Sequence, residues 1–173
     1  MNKMWLIGDL HFGHKKIIEY CNRPFSDVEE MNKILISNWN SVVGKNDEVI
    51  VVGDFALMSK DNIIDIGRKL KGRKTLILGN HDGASIQTYY DAGFQIVSKY
   101  PIVIDNFAIV SHMPLFTNTN SPYVNIFAHV HDDKNYKDVS SHGFCVSAER
   151  LNYTPILYEE VKSRIINEIS YED

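Results

Sequence analysis

Short apolar runs recur along the chain, and each is followed within two residues by a glycine, aspartate, asparagine or histidine. Runs this short and this rich in β-branched residues predict buried strands rather than helices. They cover residues 4–7, 49–52, 75–78, 107–110 and 124–127. Each predicted strand therefore ends in a loop that carries polar side chains.

Apolar residues at helical spacing separate the early strands. The helices predicted in this half cover residues 28–43, 62–70 and 85–92. Ser26 with Glu29 three residues later predicts a capping box at the start of the first. Gly72 and Gly93 follow the other two as stops. Alternating strands and helices predict right-handed crossovers and a mostly parallel sheet.

The second half of the chain changes character, because its strands are joined by short links. The strands predicted here cover residues 94–104, 107–110, 124–127, 144–147 and 155–158. They predict a second sheet, antiparallel or mixed. Residues 159–169 predict a terminal amphipathic helix with Val161 and Ile165 on its apolar side.

Length and composition favour one α/β domain over residues 1–173, since 44% of the residues are hydrophobic and 23% are charged. The net charge of -4 argues against a broad nucleic-acid surface. It is compatible with a small phosphorylated substrate, because bound cations would invert the local charge. The two distant cysteines, Cys21 and Cys145, and the lack of a leader or membrane span predict a cytoplasmic protein with reduced thiols.

Five predicted strands end in residues that can bind a metal ion. Any one of them alone is more often a turn former or an ordinary polar residue, but their recurrence at one sheet edge predicts a metal site. Oxygen and nitrogen ligands without thiolate favour Mn, Fe, Zn or Co. The residues are Asp9, His11, Asp54, Asn80, His81, Asp82, His112, His129 and His131.

These blocks, taken in order, resemble the calcineurin-like metallophosphoesterases, in particular small prokaryotic or phage-type phosphodiesterases. The match runs through Asp9-Leu10-His11, Gly53-Asp54, Gly79-Asn80-His81-Asp82, His112 and His129-Val130-His131. The resemblance implies a four-layer α/β/β/α sandwich, in which helices flank two mixed sheets. One departure is Ala128, where the family usually has glycine; a methyl group there restricts the backbone if positive φ is needed.

The resemblance also implies which residues hold two divalent transition-metal ions, with Mn expected and Fe, Zn, Co or Ni as alternatives. The first ion would be held by Asp9, His11, Asp54 and His131. The second would be held by Asp54, Asn80, His112 and His129. Asp54 would therefore bridge the ions, and His81 would face the substrate instead of binding metal.

From two neighbouring cations we expect in-line attack on phosphorus by a hydroxide that bridges them, with His81 assisting the leaving group. Asp82 is predicted either to orient His81 or to cap the turn into the next helix. His14 and Arg23 are candidate substrate contacts; the alternatives are a solvated histidine and an exposed charge. His142 is expected to be structural or exposed.

The predicted function is hydrolysis of a phosphate ester, with diesters favoured and a small partner such as a nucleotide. A monoesterase or a nuclease using the same site is one alternative. A non-catalytic scaffold with this fold is the other. No membrane partner, extended nucleic-acid surface or oligomeric state is predicted.

Overall fold

The computed structural model describes residues 2–118, 120–133, 135–136 and 141–172. The strands are β1 (Met4–Ile7), β2 (Glu48–Val52), β3 (Arg73–Ile77), β4 (Phe94–Ser98), β5 (Ile102–Ile104), β6 (Ala108–Val110), β7 (Val124–Phe127), β8 (Gly143–Cys145) and β9 (Ile156–Leu157). The helices are α1 (Lys15–Tyr20), α2 (Val28–Val42), α3 (Lys60–Lys69), α4 (Ile86–Asp91) and α5 (Tyr158–Glu172). A 3₁₀ turn covers Ala148–Leu151.

The strands form two mixed sheets, as the α/β prediction requires. The first has the order β4-β3-β2-β1-β9, in which β1 to β4 are parallel and β9 is antiparallel to β1. The second has the order β5-β6-β7-β8, in which only β5 and β6 pair antiparallel. The predicted fold class, two mixed sheets with flanking helices, is confirmed.

Alternate residues of the first sheet pack into two separate hydrophobic cores. Trp5 and Ile7 pack with the buried faces of α1 to α4, whereas Leu6 packs into the apolar layer shared with the second sheet. This second layer also receives Val161 and Ile165 of α5. The first sheet is therefore buried on both faces. Because neighbouring side chains of a strand point to opposite faces, this burial explains why its strands are nearly continuous apolar runs.

Two sequence predictions about strands are wrong. Residues 94–104 form two strands in different sheets: Pro101 lacks a backbone N–H, and Ser98 closes a local turn by bonding the main chain of Tyr100. The strand at 155–158 was predicted for the second sheet, but β9 pairs with β1 in the first.

The start of α2 differs from the predicted capping box by one residue. Asp27 is the N-cap, and its side chain accepts from the Glu30 N–H. The Glu30 carboxylate in turn accepts from the Ser26 N–H at 2.7 Å. The bond from the Glu30 N–H to the Asp27 side chain is the first bond of a capping box. The second bond differs, because the Glu30 carboxylate binds the N–H of Ser26, one residue before the N-cap.

Among the described residues, no helix is both long enough and apolar enough to cross a bilayer.

Gly8, at the end of β1, lies against Ala128, which follows β7 of the second sheet. A Cβ built on Gly8 would lie 2.4 Å from the Ala128 Cβ and 2.9 Å from the Val52 carbonyl oxygen. Gly8→Ala should therefore lower the free energy of unfolding by about 1–3 kcal/mol through overpacking. Urea denaturation measures this loss.

A double variant and a control make this prediction specific. Adding Ala128→Gly should restore part of the stability that Gly8→Ala removes, since the Val52 contact persists. Gly83→Ala is the control, because a Cβ there meets nothing within 4 Å among the described residues. Equal losses for Gly8→Ala and Gly83→Ala would contradict the packing argument.

Candidate metal centre

The polar strand-end loops of both sheets meet at one edge of the molecule. Loops after β1, β2 and β3 come from the first sheet, and loops after β6 and β7 come from the second. Main-chain hydrogen bonds connect them: the Asp9 N–H donates to the Gly53 carbonyl at 3.0 Å, and the Ala128 N–H donates to the His112 carbonyl at 3.1 Å. The ligand candidates therefore lie on mutually braced loops.

The backbone of these loops is unusual. Ten non-glycine residues in the described chain have positive φ, and half of them are predicted metal ligands. Their φ values lie between 48° and 71°, a region that L-residues rarely adopt. These five are Asp9, His11, Asp54, His129 and His131. Backbone conformations of this kind collect at functional sites, where they direct side chains that a regular strand would turn away.

Two groups of three side chains have the spacing of metal-binding clusters. In each group, the potential ligand atoms all lie within 4.8 Å of one another. One group is Asp9, His11 and His131, and the other is Asp54, His112 and His129.

Asp54 lies between the two groups. Its Oδ2 is 3.4 Å from His11 Nε2 and 3.5 Å from His112 Nε2. Asn80 joins the second group, since its Oδ1 is 3.0 Å from the same His112 nitrogen. The structure therefore brings together all seven predicted ligands, and Asp54 is placed to be shared.

The orphaned polar atoms fit a bound cation. Asp9 Oδ1 and His11 Nε2 are buried and have no hydrogen-bond partner among the described residues. Burial raises the pKa of Asp9 to about 6 and lowers the pKa of His11 to about 2. A buried carboxylate beside a neutral imidazole with an unpartnered nitrogen is the donor set that a divalent ion satisfies. The residues present fit a metal ion at each group.

Main-chain groups fix which atoms of the ligands face the centre. His112 Nδ1 is 3.0 Å from the Val52 carbonyl and so carries its proton, which leaves the Nε2 lone pair toward the centre. The His129 N–H donates to Asp9 Oδ2, and the His81 N–H donates to Asp54 Oδ1, both at 2.8 Å. In each aspartate, one oxygen is held by the backbone and the other faces the imidazoles.

Gly53 and Ala128 show how closely these loops pack. A Cβ on Gly53, which has φ +82°, would lie 2.2 Å from His112 Nδ1. The concern raised by alanine at position 128 does not arise, because the positive φ falls on His129 and not on Ala128. The Ala128 methyl instead covers Gly8.

Asp82 does not have either of its predicted roles. Its carboxylate accepts from the backbone N–H groups of Asp54, Phe55 and Gly79 at 2.8–2.9 Å. It does not cap α4, because Ser85 is the N-cap of that helix. Asp82 is buried and joins the loops after β2 and β3, so it positions Asp54 rather than pairing with His81.

Arg23 is not the exposed charge that the sequence suggested. Its guanidinium is buried and donates to the Asp9 carbonyl at 2.6 Å and to the Leu10 carbonyl at 3.0 Å. It also pairs with Glu149, through Nε at 2.9 Å. With its donors committed to the loop that carries Asp9 and His11, Arg23 supports the ligands from behind instead of facing a substrate.

Glu149 is a site residue that sequence reasoning missed. It comes from the 3₁₀ turn, which is attached to the site because the Ala148 N–H donates to the Gly8 carbonyl. Glu149 Oε1 lies 2.9 Å from His131 Nδ1, the arrangement by which a carboxylate orients a metal-binding histidine. No motif marks this residue, since its partner Arg23 lies 126 positions away.

The surroundings of His131 favour its protonated form before metal binds. Burial alone would lower its pKa, but the Cys21 thiol and the Glu149 carboxylate outweigh burial and raise the pKa to about 10. Cys21, His131 and Glu149 also form a third group of possible ligands within 4.8 Å.

His81 and His14 lie at the mouth of the centre. The ring centroids of His81 and His11 are 5.2 Å apart, and His81 is exposed to solvent. His14 precedes α1, and its ring stands 6.0 Å from His81 and 5.3 Å from His11. His142 is buried away from this cluster, and its carbonyl accepts from the Asn125 N–H.

Glu149→Gln should lower the affinity for the metal ion near His131 by roughly 10–100-fold and leave the affinity for the ion near His112 unchanged. The reason is that, of the two groups that meet at Asp54, only the first contains His131, whose ring Glu149 orients. Isothermal titration with Mn²⁺, in which the parent protein should give two binding events, measures both affinities.

The matched control is Glu48→Gln, which removes a carboxylate from the exposed ion pair with Arg73. It should leave both affinities unchanged. Glu149→Gln also strands the buried Arg23 charge, so a stability loss of about 3–5 kcal/mol is expected, and titrations must be made on folded protein. Equal weakening of both ions, or of neither, would contradict the assignment.

Comparison with known proteins identifies a family and similar proteins. Residues 3–163 match the family model of the calcineurin-like phosphoesterases. An uncharacterized protein of Methanocaldococcus jannaschii is 35% identical over 167 residues, which is 90% of this chain and 87% of that protein. The gene 66 protein of Mycobacterium phage L5 is 46% identical over 86 residues, covering 48% of this chain and 41% of the phage protein.

Two solved structures share the fold. A protein of unknown function from Aquifex aeolicus superposes with a TM-score of 0.76 at 22% identity, covering 94% of this chain and 99% of the other. The nuclease MPE of Pseudomonas putida gives a TM-score of 0.50 at 21% identity, covering 74% of this chain and 61% of that one. At these identities the likeness concerns the fold alone.

Proposed function

The chain belongs to the calcineurin-like phosphoesterase family, and we propose that it hydrolyses phosphodiesters at a centre of two divalent cations. The observation that carries this proposal is the pair of ligand groups that meet at Asp54. In this assignment Asp9, His11 and His131 hold one ion, whereas Asn80, His112 and His129 hold the other. Mn²⁺ is the ion we expect, and a cytoplasmic location is part of the same proposal.

Two bound cations would supply an activated water and neutralise the charge on the phosphoryl oxygens. The protein itself holds the proposed ligand side chains in position. Asp82 and Arg23 hold the loops of Asp54 and Asp9 through main-chain contacts, so the acidic side chains do not need to reorganise when a substrate binds.

His81 is the group best placed to donate a proton to the leaving oxygen. It is exposed at the mouth of the site, and its own backbone N–H is tied to Asp54 Oδ1 at 2.8 Å. The tie sets the ring beside the ligands without engaging its nitrogens. Proton donation by a histidine contributes about 10²–10⁴-fold to a rate when it is needed. His14, next to it, is placed to contact the same part of the substrate.

Two cavities on either side of the loop after β3 favour a diester over a monoester. The first, which we call the His81-side cavity, has a volume of about 420 Å³ and is lined by His81, Met58 and Lys60. The second, the His112-side cavity, has a volume of about 330 Å³ and opens at Asn80 and His112. A phosphodiester has two substituents to fill two cavities, whereas a monoester has one.

Asp54→Asn should abolish hydrolysis and reduce binding of both ions, because Asp54 is the residue shared by the two groups. His81→Asn should keep both ions and lower kcat by about 10²–10⁴-fold for an ester with a poorly activated alcohol. Metal titration and steady-state kinetics on metal-stripped protein, reloaded with Mn²⁺, separate the two effects. Full activity of Asp54→Asn would contradict the shared-ligand assignment.

The diester preference has its own test. With Mn²⁺-loaded protein, bis(p-nitrophenyl) phosphate should be hydrolysed with a higher kcat/KM than p-nitrophenyl phosphate. A monoester preference would contradict the two-cavity argument while leaving the metal centre intact. Binding of two ions without hydrolysis of either ester would instead favour the non-catalytic scaffold.

A further inference from the structure

The loop after β6 presents apolar side chains to solvent beside the metal centre. Met113 is 51% exposed and Leu115 is 42% exposed, although His112, immediately before them, is buried. Both line the His112-side cavity together with Leu78, Pro101 and Lys99. Exposing apolar surface at a fixed place costs free energy, so such a patch beside a catalytic centre indicates binding.

A buried polar network holds this loop in its exposed conformation. Asn125 is fully buried, and its Oδ1 accepts the Leu115 N–H at 2.7 Å. Its amide donates to Ser111 Oγ at 2.9 Å, and that hydroxyl donates to the Met113 carbonyl at 2.7 Å. Each polar group of this network has a hydrogen-bond partner, which makes the loop rigid before any ligand binds.

The facing wall is fixed in a similar way. Ser98 Oγ donates to the Tyr100 carbonyl at 2.8 Å and accepts the Tyr100 N–H at 3.1 Å. This turn carries Lys99 and leads into Pro101, and both line the same cavity as Met113. The cavity therefore combines rigid apolar walls with one cation at its rim.

We propose that the His112-side cavity binds the alcohol that stays on phosphorus, and that it selects alcohols bearing an apolar ring. This inference rests on the proposed function. His81 lines the opposite cavity, so the leaving alcohol belongs there and the retained substituent lies beside Asn80 and His112. A rigid ring suits preformed walls because it loses less conformational freedom than a flexible chain. Lys99 favours a ring that carries a negative group at its far end.

Two diesters with the same leaving group test this selection. Phenyl p-nitrophenyl phosphate and methyl p-nitrophenyl phosphate both release p-nitrophenolate and differ only in the retained alcohol. The parent protein should prefer the phenyl ester by about tenfold in kcat/KM, the effect of burying one ring. Met113→Ser should reduce that ratio severalfold, because it should lower kcat/KM for the phenyl ester more than for the methyl ester.

Phe116→Ser is the matched control. Phe116 lies on the same loop and is 74% exposed, but it does not line the cavity, so the ratio should stay at the parent value. Lys99→Gln should keep the phenyl ratio and lower kcat/KM severalfold for the 4-carboxyphenyl analogue. Two Mn²⁺ ions per chain in each variant establish that the neighbouring His112 is undisturbed.

A binding measurement tests the cavity without hydrolysis. Calorimetry on the Mn²⁺-loaded protein should show tighter binding of phenylphosphonate than of methylphosphonate, and Met113→Ser should remove the difference. Hydrolysis of both diesters with the same ratio in the parent and Met113→Ser proteins would overturn the ring-binding cavity but not the proposed function. Failure to hydrolyse either diester would overturn the proposed function, and the phosphonate affinities would still decide whether the cavity binds a ring.

Discussion

Burying two carboxylates among imidazoles is the constraint on which the rest of this structure depends. Asp9 and Asp54 are 0% and 1% exposed, and each keeps one oxygen turned toward histidine nitrogens. An uncompensated charge in such surroundings costs several kcal/mol, so the fold must supply either protons or cations. Divalent ions meet this requirement better than protons do, because they would also bind His11 Nε2, which has no hydrogen-bond partner among the described residues.

The surrounding structure makes this arrangement possible by bracing every ligand loop to another element. Asp82 joins the loops after β2 and β3, and Arg23 joins the loop after β1 to Glu149 on the 3₁₀ turn. The close approach of Gly8 and Ala128 holds the two sheets at the distance that lets both contribute side chains to the candidate metal centre. The positive φ values of the ligand residues can persist because these contacts overdetermine the backbone.

The predictable part of the site was local in sequence. Asp9, Asp54 and His129 each follow a short apolar run, and the run specifies both the strand and the sheet edge at which it ends. What escaped prediction depends on contacts between distant segments. Glu149 reaches His131 only because the 3₁₀ turn pairs with the end of β1, and Asp82 finds its partners only when two loops meet.

The strand errors have the same origin. Residues 94–104 resemble one strand because their apolar residues are interrupted mainly at Gln95 and at Ser98-Lys99. The turn at Ser98 and the missing N–H of Pro101 divide the segment between two sheets. Likewise, β9 is two residues long, and its pairing with β1 is determined by where the chain arrives after the 3₁₀ turn. Register and sheet membership of such short segments are tertiary properties, because their own residues have too few contacts to decide them.

Anomalous diffraction from a crystal grown with Mn²⁺ tests whether Asp54 is shared by two metal ions. We expect two anomalous peaks, both in contact with Asp54. One should be flanked by Asp9, His11 and His131, and the other by Asn80, His112 and His129. A single peak, or an ion held by Cys21, His131 and Glu149 in place of the first, would contradict a centre of two ions that share Asp54.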